Sequence, residues 1–282
     1  NNLGGHIRVC EKEVDVVKGL LNHAILIILV LFMVGPLVWM FVLSMKPEGA
    51  ILGPPLDPFE PTFVHYINLF ERFGFARAIQ NSLIVALAVL AITIPVASLA
   101  GYGLSRFPIP GVQWILVFIL FCKIIVPAIL LLPLYEIMKA LGLLNTIAGI
   151  VLGHLSWQLP FAVLILESFC EGLPKEIEEA AWLDGLSRFE TFWRIVFPVM
   201  APGIAVVGLF TFGGSWGEFL FAISFAYSSS LRTGPVQISL MTTTYKVYWG
   251  ELAASGTLWS IPIVIIALLF HRHMTRGVRL GF

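Results

Sequence analysis

Apolar residues in this chain fall into long blocks that charged residues rarely interrupt. Six blocks reach the length of about 20 residues that a helix needs to cross the hydrocarbon core of a bilayer. Because a lipid-exposed segment must satisfy its backbone hydrogen bonds internally, we interpret the blocks as helices. The predicted spans are residues 24–44, 82–105, 112–134, 146–166, 201–226 and 252–270. The pattern therefore predicts an all-α membrane protein with six transmembrane helices.

The composition agrees with a lipid environment and bounds the classes of partner. The chain is 58% hydrophobic and 12% charged, whereas soluble domains are about 45–50% apolar and about 25% charged. A formal net charge of zero gives no indication of a nucleic-acid partner. The three widely spaced cysteines predict neither a structural disulfide nor a zinc site. We expect no cleavable signal peptide, because the first apolar block is too long and lacks a small-residue cleavage site.

Basic residues predict how the spans are oriented, because Lys and Arg are retained on the cytoplasmic side. The N-terminal segment, the connections between spans two and three and between spans four and five, and the tail together hold ten of them, against six on the other side. We therefore expect a cytoplasmic segment at 1–23, a six-helix transmembrane domain at 24–270 with a cytoplasmic loop at 170–196, and a cytoplasmic tail at 271–282. The predicted location is the cell membrane.

A charged insertion of soluble character, residues 172–198, separates the fourth and fifth spans. Pro174 suits the first turn of a helix, acidic residues follow it, and Gly185 stands where a helix would end, which predicts a helix over 174–184. Ser187 and Glu190 have the spacing of a capping box and predict a second helix. We call residues 174–194, the two helices and their turn, the elbow.

The elbow allows two interpretations. Its acidic residues outnumber its basic ones, and its small residues cluster on one face, which suits docking into a groove on a cytosolic protein through that partner's Arg or Lys. The alternative is an amphipathic hairpin lying on the lipid surface. An excess of carboxylates disfavours the alternative, since anionic leaflets attract basic segments.

The elbow also carries a recognisable motif. Glu179-Ala180-Ala181, three residues, Gly185, nine residues and Ile195-x-Phe197-Pro198 resemble the EAA motif of ABC importer permeases, with Phe197 where Leu is usual. The resemblance extends over most of the chain and points to the carbohydrate-uptake branch, similar to MalG-type subunits. Supporting segments are Asn81-Ser82-Leu83, Pro133-Leu134-Tyr135, residues 141–146, Leu159-Pro160-Phe161 and Trp216-Gly217-Glu218-Phe219. The sequence departs from that branch at Gly217, often Asn, and in the tail at 276–282.

The resemblance implies a type I permease fold and a complete importer around it. Two ATPase subunits, a second and non-identical permease and an extracytoplasmic solute-binding protein would be the partners. The chain itself would bind no cofactor, and ATP and Mg would belong to the ATPases. The helix at 174–184 would be the coupling helix. The coupling residues implied are Glu179, Ala180, Ala181, Asp184, Gly185, Ile195 and Pro198.

Isolated polar residues within the spans are the candidates for the solute path. Lys123 lies near the middle of the third predicted span, where a charge is costly unless paired or wetted, and Glu218 or Glu167 are its candidate partners. A structural role for Lys123 is equally compatible with the sequence. Aromatic and hydrogen-bonding groups together suit sugar rings, although membrane aromatics more often pack or anchor at the interface. The solute-path candidates are Lys123, Trp157, Gln158, Trp216 and Glu218.

Two other functions compete with an ATP-driven importer. A transporter driven by an ion gradient is motivated by Lys123 with Glu218, and a permease for a non-sugar polar solute such as glycerol phosphate stays open. An intramembrane enzyme is disfavoured, because the sequence has neither a His-Glu-x-x-His nor a Gly-x-Ser-x-Gly motif. It also has no Gly-rich P-loop, so we expect ATP hydrolysis only in a partner subunit.

Overall fold

A computed structural model describes the backbone of residues 3–54 and 57–279 and the side chains of residues 22–54 and 57–270. The helices are α1 (Leu3–Met45), α2 (Glu48–Ile51), α3 (Val64–Glu71), α4 (Phe75–Arg106), α5 (Val112–Ile124), α6 (Pro127–Ala140), α7 (Ile147–Glu171), α8 (Glu176–Leu183), α9 (Arg188–Thr191), α10 (Phe197–Val199), α11 (Ala201–Trp216), α12 (Leu220–Phe225), α13 (Gly234–Ser239) and α14 (Trp249–Arg279). A π-helical turn, Phe192–Val196, joins α9 to α10. The described backbone contains no β-sheet, and the predicted all-α fold is confirmed.

Four helical segments are long and apolar enough to cross a membrane as single helices. They are Asn22–Met45, Phe75–Arg106, Ile147–Glu171 and Trp249–Phe270, and each overlaps a predicted span. Two further crossings are possible if the two helices of a bent pair are counted as one span, so the described residues supply up to six crossings. One pair is α5 with α6, bent by 98°, and the other is Arg188–Val199 with α11, bent by 73°.

Breaks in the backbone interrupt the third and fifth predicted spans. The third breaks at Ile125 and Val126, which are both extended, because the ring of Pro127 disfavours helical backbone in the residue before it and Pro donates no backbone hydrogen bond. The fifth breaks between Trp216 and Leu220, where α11 ends and α12 begins.

The chain divides into two compact units. The first comprises the chain up to Asn68 together with Tyr248–Leu258. Within it, the buried ring of His65 lies with Nε2 2.8 Å from the carbonyl oxygen of Lys46, and Asn68 donates a hydrogen bond of 2.9 Å to Glu251. These contacts hold α3 against the end of α1 and the start of α14.

The second unit contains the elbow and every candidate for the solute path. Its core is built by α4, α7 and α11, which pack against one another. At Gly101 the backbones of α4 and α7 approach so closely that an added Cβ would lie 2.7 Å from the backbone nitrogen of Glu167. Small residues permit such approaches between membrane helices, so Gly101 fixes the spacing of the helix pair.

Gly101→Ala is expected to destabilise the protein by about 1–3 kcal/mol, because the new methyl group meets backbone that cannot rotate away. Gly103→Ala is the matched control on the same helix, since nothing lies within 4 Å of a Cβ there. Thermal unfolding of the detergent-purified protein measures the difference. Equal midpoints for the two variants would contradict the close packing of α4 on α7.

Candidate functional site

The elbow contains the two predicted helices, although the first runs over Glu176–Leu183 and begins after Pro174 rather than at it. Its first helix, α8, ends before Gly185, whose φ of 89° is a conformation that favours glycine. The backbone nitrogen of Leu186 donates to the carbonyl oxygen of Ala181 at 3.1 Å, which closes the helix end. The second helix begins with the predicted capping box. The carboxylate of Glu190 accepts hydrogen bonds from the backbone nitrogen and the hydroxyl of Ser187, and the Ser187 hydroxyl accepts one from the backbone nitrogen of Glu190. The turn is therefore fixed on both sides.

Helix α8 has one face buried in this chain and one face open. Ala181 is buried, whereas three other predicted coupling residues on this helix and its C-cap are exposed: Glu179, Ala180 and Asp184. The two alanines thus face different surroundings, although both are predicted to pack closely. Leu183 is 90% exposed and Phe189 67% exposed, so the elbow exposes apolar side chains as well as carboxylates.

An ion pair that the sequence analysis missed ties the elbow to α4. The side chain of Glu178 is 4% exposed and that of Arg106 is 7% exposed, and Arg106 Nε donates to Glu178 Oε1 at 2.5 Å. The hydroxyl of Tyr102 donates to Glu178 Oε2 at 2.9 Å, and Arg106 Nη2 donates to the carbonyl oxygen of Leu173 at 2.8 Å. We call Tyr102, Arg106 and Glu178 the bracket. It joins the end of α4 to the first turn of α8.

The segment after the elbow carries the other two predicted coupling residues. Ile195 is half-buried and lies in the π-helical turn, and Pro198 is exposed. The backbone nitrogen of Phe197 donates five residues back to the carbonyl oxygen of Phe192, just before Pro198, which has no N–H to continue an α-helical ladder. Phe192 is buried, and its ring centroid lies 5.0 Å from that of Tyr102 in the bracket.

Lys123 lies at the end of α5, two residues before the break in the third span. Its Nζ is 4.0 Å from the centroid of the Trp157 ring and 5.0 Å from that of Phe161, both on α7. Neither Glu218 nor Glu167 pairs with Lys123 in the part of the chain that has described side chains. The cation–π contact replaces the ion pair that the sequence suggested.

Glu218 is engaged elsewhere, at the break in the fifth span. Its Oε2 lies 2.9 Å from Nε2 of His154, whose Nδ1 is 2.7 Å from the Ser215 hydroxyl. Its carboxylate also accepts hydrogen bonds from the backbone nitrogens of Phe221 at 2.8 Å and Ala222 at 3.1 Å. Glu218 therefore caps the N-terminus of α12. The Lys123–Glu218 pair that motivated an ion-driven transporter is not formed.

The last two solute-path candidates, Trp216 and Gln158, are buried. The Trp216 indole is 1% exposed, stacks on Trp259 at 4.0 Å and donates to its carbonyl oxygen at 3.0 Å. Gln158 packs against Gly214 of α11. The five candidates thus divide into a Lys123–Trp157 pair and an interior group. Among the residues with described side chains, no His, Cys, Asp and Glu residues form a metal-binding group.

Comparison with known proteins identifies the family. The binding-protein-dependent transport system inner membrane component family matches residues 93–280. The trehalose/maltose transport system permease protein MalG of Thermococcus litoralis is 32% identical over 270 residues, covering 95% of this chain and 97% of that protein. The sulfoquinovosyl glycerol transport system permease protein SmoH of Agrobacterium fabrum is 33% identical over 248 residues, covering 87% of each.

The fold is that of a solved ABC importer. A chain of a bacterial ABC transporter involved in importing the acidic polysaccharide alginate superposes with a TM-score of 0.73 at 20% identity, covering 92% of this chain and 97% of that one. Fold and family agree with the buried core of α4, α7 and α11 and with the partly exposed elbow. The chain belongs to the family of binding-protein-dependent transport system inner membrane components, and it is a non-catalytic permease subunit of an ABC importer.

Proposed function

We propose that this permease subunit forms half of the translocation path for a sugar or oligosaccharide and that its elbow, on the cytoplasmic side, docks an ATPase subunit. The observation that carries the proposal is the open face of α8. It presents Glu179, Ala180 and Asp184 to solvent, and the elbow also exposes the apolar side chains of Leu183 and Phe189. Exposed apolar groups beside carboxylates suit a groove with an apolar floor and basic rim.

The bracket lets the elbow act as a lever. Because Glu178 and Arg106 join α8 to the end of α4, displacement of the docked helix would be passed to α4 and, through the close approach at Gly101, to α7. Rigid elements that move together are how domain closure is transmitted to a distant site. Closure of two ATPases on ATP and Mg would then switch the path between inward-facing and outward-facing states.

The names of the relatives support the rest of the proposed assembly. The permeases of Thermococcus litoralis and Agrobacterium fabrum are named for trehalose/maltose and sulfoquinovosyl glycerol, which supports a carbohydrate solute here. A structural neighbour was solved with an alginate pentasaccharide-bound periplasmic protein. It supports delivery of the solute by an extracytoplasmic binding protein. A second, non-identical permease would complete the path, and both termini would be cytoplasmic.

The test is to purify the intact assembly in mild detergent and reconstitute it in liposomes. Glu179→Lys and Leu183→Asp are each expected to lower ATPase recovery at least tenfold, because losing one close interfacial charge pair or burying an unpaired carboxylate costs about 2–5 kcal/mol. ATP-driven sugar uptake should fall in parallel. Glu136→Lys is the control, since that side chain is 61% exposed on α6, away from the elbow.

Wild-type ATPase recovery and uptake in both elbow variants would reject the docking assignment. Labelling of an engineered cysteine at position 183 from the outside of intact cells would reject the orientation.

A further inference from the structure

Lys123 has no carboxylate partner among the side chains that the structure describes. The ammonium group lies over the rings of Trp157 and Phe161, and no described side chain forms an ion pair with it. An ammonium has three N–H donors, and aromatic faces can occupy only the side that they cover. At least one donor of Lys123 therefore points away from the rings.

The surroundings of Lys123 offset only part of the cost of a charge at membrane depth. Attraction to ring faces and to the C-terminal end of α5 both favour the cation, but they are weaker than the penalty for a lysine in a span. Lys123 also lies beside the break between α5 and α6. Broken helices of this kind line solute and ion sites in transporters, because their free backbone groups face a wet cavity.

The two carboxylates that the sequence suggested as partners, Glu218 and Glu167, do not pair with Lys123 in the described part of the chain. Glu218 is committed to His154 and to the N-terminus of α12. Glu167 lies ten residues beyond Trp157 on the same helix, roughly 15 Å along its axis. No described side chain supplies a negative charge to Lys123, so a group that binds beside the rings of Trp157 and Phe161 is the candidate to supply it.

We propose that Lys123 binds an anionic group of the transported sugar, a carboxylate or a sulfonate, on the side of the ammonium that faces away from Trp157. The proposal rests on the function proposed above and narrows its solute class to acidic sugars. Trp157 is held by packing against the cluster of Met138, Phe221 and Phe225, so it supplies a rigid apolar wall for the sugar ring. Charge at Lys123 would then select an acidic sugar over a neutral one.

The experiment compares four sugars in liposomes that contain the complete importer: digalacturonate, sulfoquinovosyl glycerol, maltose and trehalose. Wild type should take up at least one acidic sugar with ATP. Lys123→Gln should lower kcat/KM for that sugar at least tenfold, and Lys123→Arg should keep most of it. The control is Lys139→Gln, because Lys139 is 63% exposed and its nearest carboxylate is that of Glu136; this variant should behave as wild type.

Each other outcome has a definite meaning. ATP-driven uptake of maltose or trehalose alone, unchanged in Lys123→Gln, would overturn this inference and leave the proposed function standing. Loss of the second permease from the purified Lys123→Gln assembly would also overturn it, because Lys123 would then pair with a fixed carboxylate of that subunit. Uptake of none of the four sugars would overturn the inference together with the carbohydrate assignment.

Discussion

Arg106→Ala is expected to leave the ATPase docked and hydrolysing ATP while solute uptake per ATP falls about tenfold or more. The substitution removes the cation that pairs with the Glu178 carboxylate, and the Glu178 side chain is only 4% exposed. Breaking a buried ion pair in this way costs about 3–5 kcal/mol, enough to release α8 from α4. The open face of α8 does not include Arg106, so docking survives and only transmission into the spans is lost.

Uptake and ATP hydrolysis measured on the same liposomes give the ratio that tests the bracket. Exchange of the pair, Arg106→Glu with Glu178→Arg, should restore part of the ratio that either single change removes. Arg194→Ala is the control, because its side chain is 69% exposed and its pair with Glu190 is a surface contact, which contributes little to stability. A wild-type ratio in Arg106→Ala would show that force does not pass through the bracket.

The elbow could be predicted because its signals are local. A glycine at the helix end and a Ser-x-x-Glu pattern act within four residues, and both the positive φ of Gly185 and the capping box of Ser187 are present. The bracket could not be predicted in the same way, since Arg106 and Glu178 are 72 residues apart in the sequence. One weak signal existed: Glu178 precedes Ala181 by three residues, which places both on the same, inward face of α8.

The spans show the same division between local and distant information. Apolar blocks locate the crossing helices, but block length alone does not reveal that Pro127 ends one helix and begins another. The contact of Lys123 with the rings of Trp157 and Phe161 could not be predicted from the sequence either. Choosing between Glu218, Glu167 and an aromatic platform requires knowing which faces of α5 and α7 meet, and these faces are set by packing across the whole unit.

Glu218→Ala is expected to lower the stability of the protein, because it removes a largely buried cap at the break in the fifth span. The carboxylate accepts the backbone N–H groups of Phe221 and Ala222 and lies against His154, with its side chain only 14% exposed. Each buried group left without a partner costs about 1–3 kcal/mol, so the loss amounts to roughly 3 kcal/mol or more. Glu218→Gln keeps one acceptor oxygen for the N-terminus of α12 and should be intermediate.

The thermal midpoint of the purified assembly, together with uptake, separates a structural Glu218 from one that binds solute. A capping role predicts that the midpoint falls in the order wild type, Glu218→Gln, Glu218→Ala, and that uptake by the folded fraction is retained in Glu218→Gln. Glu136→Ala serves as the control, since that carboxylate is 61% exposed. An unchanged midpoint with abolished uptake would instead place Glu218 on the solute, because a side chain that holds α11 to α12 cannot be removed without destabilising the fifth span.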